Sequence, residues 1–229
     1  QYLAEKGVSV AAHVIGIGGV ADCSGHPLTP DMAALVACRE QAVPTLNPEA
    51  GQKMEQAILE AKTRGDSVGG MVEVVAAGLP AGLGEPFFDG VEAVAASHFF
   101  SIPAVKGVEF GAGFAAAAMA GSAYNDPFII KNCHVETAKN DAGGLLGGVT
   151  DGMPVIARVA FRPTPSIALE QDTVSLSAME NTRLAVSGRH DPCIVVRALP
   201  VVEAALALAL CDLWLQRNGA APAEAADAD

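Results

Sequence analysis

The residues best suited to chemistry sit late in the chain. Gly188-Arg189-His190-Asp191-Pro192-Cys193 sets a cation, an imidazole and a carboxylate on consecutive residues within an apolar neighbourhood. Such a set offers charge stabilisation and proton transfer. Asp191 beside Arg189 is equally the pattern of an internal ion pair, and His190 lacks a second histidine at metal-ligand spacing. Arg162-Pro163-Thr164-Pro165-Ser166 is a second cluster, in which two prolines stiffen a backbone that presents a guanidinium and two hydroxyls. That combination suits an anionic or multiply hydrogen-bonding ligand, or is the plain exit of an edge strand. Asn140 to Gly152 is dense in glycine, with pairs at Gly143-Gly144 and Gly147-Gly148. Glycines there allow positive φ and close backbone approach, in a flexible loop or a ligand-facing one. No Gly-Lys-Ser/Thr follows, which excludes a P-loop.

Gly16-Ile17-Gly18-Gly19-Val20-Ala21 matches the G-x-G-x-x-A of a dinucleotide turn. That turn needs a helix to open at its last positions. Here the chain continues as Asp22-Cys23-Ser24-Gly25-His26-Pro27, a turn sequence, so a nicotinamide-dependent reductase has no further support. His13, on an apolar strand, reads as a satisfied core or edge residue.

These groups need elements to position them. Val8 to Ile17 and Ser67 to Ala77 have strand composition, and Val155 to Phe161 alternates as a strand. Thr29-Pro30-Asp31 opens a helix to about Ala42. Asn47 and Pro48 open a second helix, carried by Met54, Ala57, Ile58 and Ala61 and closed by Gly65. Gly78 to Pro86 is a turn-rich loop, Asp89 to Phe100 a helix, Val105 to Met119 a glycine-interrupted strand, and residues 121–127 a polar turn. Thr173 to Leu176 and Arg183 to Val186 pair as a hairpin. Leu199 to about Arg217 is apolar on nearly every face, as in a helix buried between layers. Strands and helices without regular βαβ alternation predict an α+β layered domain over residues 1–218. Residues 219–229 read as a disordered acidic tail.

The chain has 229 residues, 51% of them apolar and 17% charged, with a net charge of −12. That composition excludes intrinsic disorder, and the acidic balance without a basic stripe argues against nucleic acid or an anionic membrane as partner. Five widely spaced cysteines (Cys23, Cys38, Cys133, Cys193, Cys211) form neither a disulfide framework nor a zinc pattern. They read as reduced, mostly buried thiols of a cytoplasmic protein. Gln1 to Gly7 reads as the end of a helix with no start, an expectation that chain is missing upstream.

Five stretches taken in order resemble the chorismate synthase family: GLPAGLGEP (78–86), FFSIPAVKGVEFGAGF (99–114), NDAGGLLGGVTDGMP (140–154), VAFRPTPSI (159–167) and GRHDPCIVVRALPVVEA (188–204). The resemblance implies a β-α-β sandwich, helices between antiparallel sheets, assembled as a homotetramer. It implies a shikimate-pathway lyase that converts 5-enolpyruvylshikimate 3-phosphate to chorismate and phosphate by 1,4-anti elimination, using reduced FMN. Carried over by position, the flavin contacts fall on Pro103, Ala104, Gly147, Arg162, Pro163, Thr164, Pro165, Ser166 and Arg189. Arg189 also holds substrate, and Asp191 is the carboxylate that manages a proton at flavin N5. Many members have Lys at the position of Arg162 and Ser at that of Pro165. Some fungal members reduce their flavin with NADPH, which no residue of this chain indicates. The family's N-terminal region, with two histidines and an Arg-x-Ser-Ala-Arg segment, has no counterpart here. An inactive fragment that folds or oligomerises without turnover is therefore the alternative reading.

Overall fold

β-Branched and small apolar residues dominate the segments that pair into the central sheet. In a computed structural model, which describes residues 1–22 and 31–218, these are β1 (Ser9–Ile17), β2 (Val20–Ala21), β3 (Gly70–Ala77), β4 (Val105–Phe110) and, later in the chain, β9 (Val155–Phe161). They form one antiparallel sheet in the order β2-β1-β3-β9-β4. Three separate hairpins stand apart from it: β5 (Phe128–Lys131) with β6 (His134–Thr137), β7 (Leu145–Leu146) with β8 (Val149–Thr150), and β10 (Gln171–Ser175) with β11 (Glu180–Leu184). The helices are α1 (Tyr2–Glu5), α2 (Met32–Ala37), α3 (Pro48–Thr63), α4 (Val91–Phe100), α5 (Gly121–Tyr124) and α6 (Val195–Asn218). The predicted α+β class is the observed one.

Alternation along the strands sorts the two faces of the sheet. Val72, Val74 and Ala76 of β3 and Val155, Ala157 and Val159 of β9 join the main core with α4 and α6. Val195, Leu199, Val202, Leu206, Leu210 and Leu213 bury one face of α6 at helical spacing. Its other face leaves Val201, Leu208 and Leu215 exposed. α6 is long and apolar enough to cross a bilayer by length and composition. Glu203, at its middle, accepts the Ala12 amide at 2.7 Å and pairs with Arg39 at 2.6 Å, which fixes the helix against β1.

The opposite face of the sheet holds a small cluster of Ala11, Val75 and Ile156 under Leu35 of α2. Beside it runs a polar row across four strands, through register partners His13, Glu73, Arg158 and Glu109. His13 Nε2 lies 3.1 Å from Glu73 Oε1. Arg158 donates Nε to Glu73 at 3.0 Å and Nη1 to Glu109 at 2.9 Å. His13 is therefore a satisfied strand residue at Nε2, although its buried Nδ1 has no partner.

Several boundaries differ from expectation. β4 ends at Phe110, because Gly111 and Gly113 take positive φ and a 3-10 turn runs from Gly113 to Ala118. The polar stretch after it contains the short helix α5. α2 starts at Met32, capped by Asp31, whose Oδ1 accepts the Ala34 amide. Thr29, Pro30 and the turn Cys23 to Pro27 lie outside the described residues, as does the predicted tail 219–229. α6 starts at Val195, four residues before the predicted Leu199, and accommodates Pro200 near its beginning. The late hairpin turns at residues 176–179 rather than around Glu180. Gly18 and Gly19, both at positive φ, make the two-residue turn between β1 and β2, so this glycine motif closes a hairpin and not a nucleotide turn.

Candidate functional site

One end of the central sheet collects most of the predicted ligand groups. β9 ends at Phe161, opposite Gly70 at the start of β3 and Val105 at the start of β4. Arg162 to Ser166 leave the sheet at that point. The Arg162 amide donates to the Ala104 carbonyl at 3.0 Å, which places Pro103-Ala104 alongside. Ala104 has φ +74°, the left-handed conformation that turns the chain from α4 into β4. The Arg162 guanidinium donates to the Pro163 carbonyl at 3.0 Å. The Thr164 hydroxyl is buried with no hydrogen-bond partner among the described residues.

The Gly188–Cys193 segment reaches the same end. Its Pro192 carbonyl accepts the Val68 amide at 2.8 Å. Asp191 Oδ1 accepts the Cys193 amide at 3.2 Å, just before α6 begins, and Oδ2 lies 2.8 Å from Arg197 Nη2. His190 Nε2 lies 2.8 Å from the Val186 carbonyl, a bond that folds the loop on itself. Arg189 is exposed. The ion pair that is one reading of Asp191 is made with Arg197, in the first turn of α6, and not with Arg189. Burial pushes the Cys193 thiol up, with Asp191 nearby adding to the rise, so it is an inert core thiol rather than a nucleophile.

A cleft of about 530 Å³ opens here, between the Gly16–Ala21 turn, residues 67–71, and Ala160, Phe161 and Pro163. A larger apolar hollow of about 670 Å³ lies elsewhere, between α1, α2 and α6, and none of the predicted ligand groups lines it. Arg162 and Arg189 make no ion pair among the described residues, although the chain carries a net charge of −12. Two unneutralised guanidiniums and a buried, unpartnered hydroxyl are a donor set for an anion. Among the described residues no group of three or more His, Cys, Asp or Glu is placed to hold a metal ion.

Gly147 stands apart from this set. With Gly148 it forms the turn of the β7–β8 hairpin, both at positive φ, and the Gly148 carbonyl accepts the Val91 amide at the N-terminus of α4. Pro103 and Ala104 follow the other end of that ten-residue helix, about 15 Å along its axis. A single chain thus brings together Pro103, Ala104, Arg162 to Ser166 and the Gly188–Asp191 loop, and leaves Gly147 at the far end of the sheet. The Asp66–Gly70 segment was not singled out from the sequence, because its contribution is made by backbone groups and one hydroxyl. The signal available was Asp-Ser-Val-Gly-Gly at the entry to a strand, where paired glycines mark close backbone approach.

Comparison with known proteins identifies the family of the chain and its fold. The family model described as Chorismate synthase matches residues 1–215. A chorismate synthase of Dehalococcoides mccartyi (strain 195) is 47% identical over 210 residues, 92% of this chain and 57% of that protein. One from Thermococcus gammatolerans is 55% identical over 170 residues, 74% of this chain and 48% of its own. One from Pyrococcus abyssi is 52% identical over 218 residues, covering 95% and 59% respectively. A solved structure described as a crystal structure of chorismate synthase superposes with a TM-score of 0.79 at 28% identity, over 95% of this chain and 60% of that one. The chain spans 48–60% of the length of these relatives.

Proposed function

This chain belongs to the chorismate synthase family, and we infer that it carries the flavin-contacting part of an enzyme that converts 5-enolpyruvylshikimate 3-phosphate to chorismate and phosphate. The observation that supports this reading is that the loops bearing Arg162, Thr164 and Arg189 are tied to one segment at one end of the sheet, with neither guanidinium ion-paired among the described residues. Reduced FMN fits that set. Its phosphate and ring carbonyls suit guanidinium and hydroxyl donors, and the glycine-walled cleft beside them suits a flat ring. Pro103, Ala104, Arg162 to Ser166 and Arg189 would hold it, and Arg189, exposed at the loop, would also meet the anionic substrate. Gly147 contacts a flavin in this reading only from another chain of a homotetramer, since its own chain places it at the opposite end of α4.

Reduced flavin, held by these residues, would supply electron density for the elimination of phosphate. Asp191, its carboxylate held by the Cys193 amide and Arg197, would hold or move a proton at the flavin. The reading places the protein in the cytoplasm and in the shikimate pathway. Titration of the chain with FMN, followed by flavin absorbance and fluorescence, tests the first step. Saturable binding that Arg162→Ala and Arg189→Ala both weaken is expected. Absence of binding, or binding indifferent to both substitutions, refutes the assignment. Chorismate formation with photoreduced FMN then distinguishes an active chain from one that folds without turnover.

A further inference from the structure

The two ligand-bearing loops do not hold each other; a third segment holds both. Ser67 Oγ donates to the Thr164 carbonyl at 2.6 Å. The next residue, Val68, donates its amide to the Pro192 carbonyl at 2.8 Å. The Gly69 carbonyl accepts the Gly18 amide at 3.0 Å, and the Gly65 carbonyl accepts the Ala168 amide at 2.9 Å. Ser67 is itself fixed, because Asp66 Oδ1 accepts its amide at 2.8 Å. Backbones here approach too closely for side chains. A Cβ on Gly69 would lie 2.4 Å from the Phe161 carbonyl oxygen, and one on Gly70 only 2.1 Å from that of Gly16.

We propose that Asp66–Gly70 is a positioning clasp, in which Ser67 and Val68 set the spacing between the Arg162–Ser166 loop and the Gly188–Asp191 loop at one end of the sheet, beside the cleft that Ser67, Val68 and Pro163 line. Ser67 is its separable component. Two prolines stiffen the 162–166 loop, yet they also remove backbone donors that could anchor it. Its Thr164 carbonyl is tied by one hydroxyl, and the Thr164 side chain beside that carbonyl stays unpartnered and available. Losing the Ser67 hydroxyl, at the rim of the cleft, frees the loop while Arg162, Thr164, Ser166 and Arg189 stay unaltered. Ser67 is a positioning residue and acts through Thr164. The inference deepens the flavin reading and takes its ligand from it.

The test compares the unaltered chain with Ser67→Ala and Ser67→Thr by hydrogen exchange, thermal unfolding and FMN titration. Ser67→Ala should speed exchange at the hydrogen-bonded amides that flank the loop, Arg162 and Ala168, roughly three- to tenfold, the equivalent of one hydrogen bond, while β1 amides and those in the middle of β3 keep their rates. FMN affinity should fall by a similar factor with the unfolding midpoint almost unchanged, and Ser67→Thr, which keeps the donor, should restore both. Unchanged exchange at those flanking amides overturns the clasp. So does a Ser67→Ala chain that unfolds outright, since the hydroxyl would then be a general stabiliser. Faster exchange with unaltered FMN affinity removes Ser67 from ligand positioning. If the unaltered chain binds no FMN but the exchange response appears and is rescued, the clasp stands and the flavin reading falls.

Discussion

Arg158→Met should be the most destabilising single change in the polar row that crosses the sheet. The Glu73 carboxylate is 5% exposed and accepts the Arg158 Nε at 3.0 Å. Arg158, 21% exposed, also holds Glu109, 23% exposed, at 2.9 Å. Methionine at 158 fills similar volume but takes the guanidinium from a buried carboxylate that keeps His13 Nε2 at 3.1 Å, a loss of about 3 kcal/mol, the low end for breaking a buried pair. Glu109→Gln leaves Arg158 on Glu73 and keeps an acceptor, so about 1 kcal/mol is expected. Glu73→Gln falls between, because the guanidinium retains Glu109. With a urea m-value of about 3 kcal/mol/M, the Arg158→Met midpoint should drop by roughly 1 M. Urea unfolding followed by far-ultraviolet circular dichroism gives the ranking directly. A cost for Arg158→Met no larger than that for Glu109→Gln would refute the reasoning, since it would mean that Glu73 finds solvent or another cation at no cost.

In the complete enzyme, Asp191→Ala should slow turnover roughly a hundredfold or more while FMN affinity changes little. Its structural share is small: one amide bond at the start of α6, about 1 kcal/mol, and a pair with Arg197, itself 73% exposed, of at most about 1 kcal/mol. Equal losses in rate and affinity would make Asp191 structural. Burial raises the pKa of Asp151, whose Oδ2 has no hydrogen-bond partner. The unfolded chain then loses that proton first, so this group's contribution to stability falls as pH rises through the acid range. Asp151→Asn should therefore be more stable than the parent at pH 7, with the gap closing as pH drops through the ordinary carboxylate value of 3.8; a gap that widens in acid contradicts this. Cys133 is exposed, whereas Cys38 and Cys193 are buried with thiols pushed up by that burial. Brief alkylation read by peptide mapping should mark Cys133 and spare the other two, and early labelling of Cys193 would overturn its assignment as inert.

The elements read correctly from sequence are those whose local signals agree with their packing. Asn47, Pro48 and Gly65 bound α3 as predicted, and the Asn47 side chain accepts the Glu49 and Ala50 amides. β1 and β9 were legible because their apolar runs are buried. The β5–β6 and β7–β8 hairpins were not, since two- and four-residue strands carry too few side chains to show a period, and the β7–β8 turn hides among glycines. Pro200 concealed the first turn of α6. It reads as a boundary, yet it lies inside α6, where it removes the bond its amide would donate to the Val196 carbonyl and the buried face of the helix offsets that loss. Exposed Cys133, at φ +63° in the β5–β6 turn, escaped for a similar reason, as a residue type usually buried. At the site, side-chain chemistry pointed to Arg162–Ser166 and Gly188–Asp191 as candidates. The Asp66–Gly70 segment that joins them speaks through amides and carbonyls, which every residue has.

Glu203 has a consequence beyond anchoring α6. β1 pairs with β2 only at Gly16 and Ile17, so most of its outer edge would otherwise offer open amides to any passing strand. The Ala12 amide is taken by Glu203, and the Val14 amide by the Pro44 carbonyl at 2.7 Å. A carboxylate and a proline thus stand where a templating strand would have to dock, and the sheet is sealed against lengthening on this side. Copies of the chain that assemble must meet through other surfaces, and the protein is spared fibrillar growth from its most apolar strand.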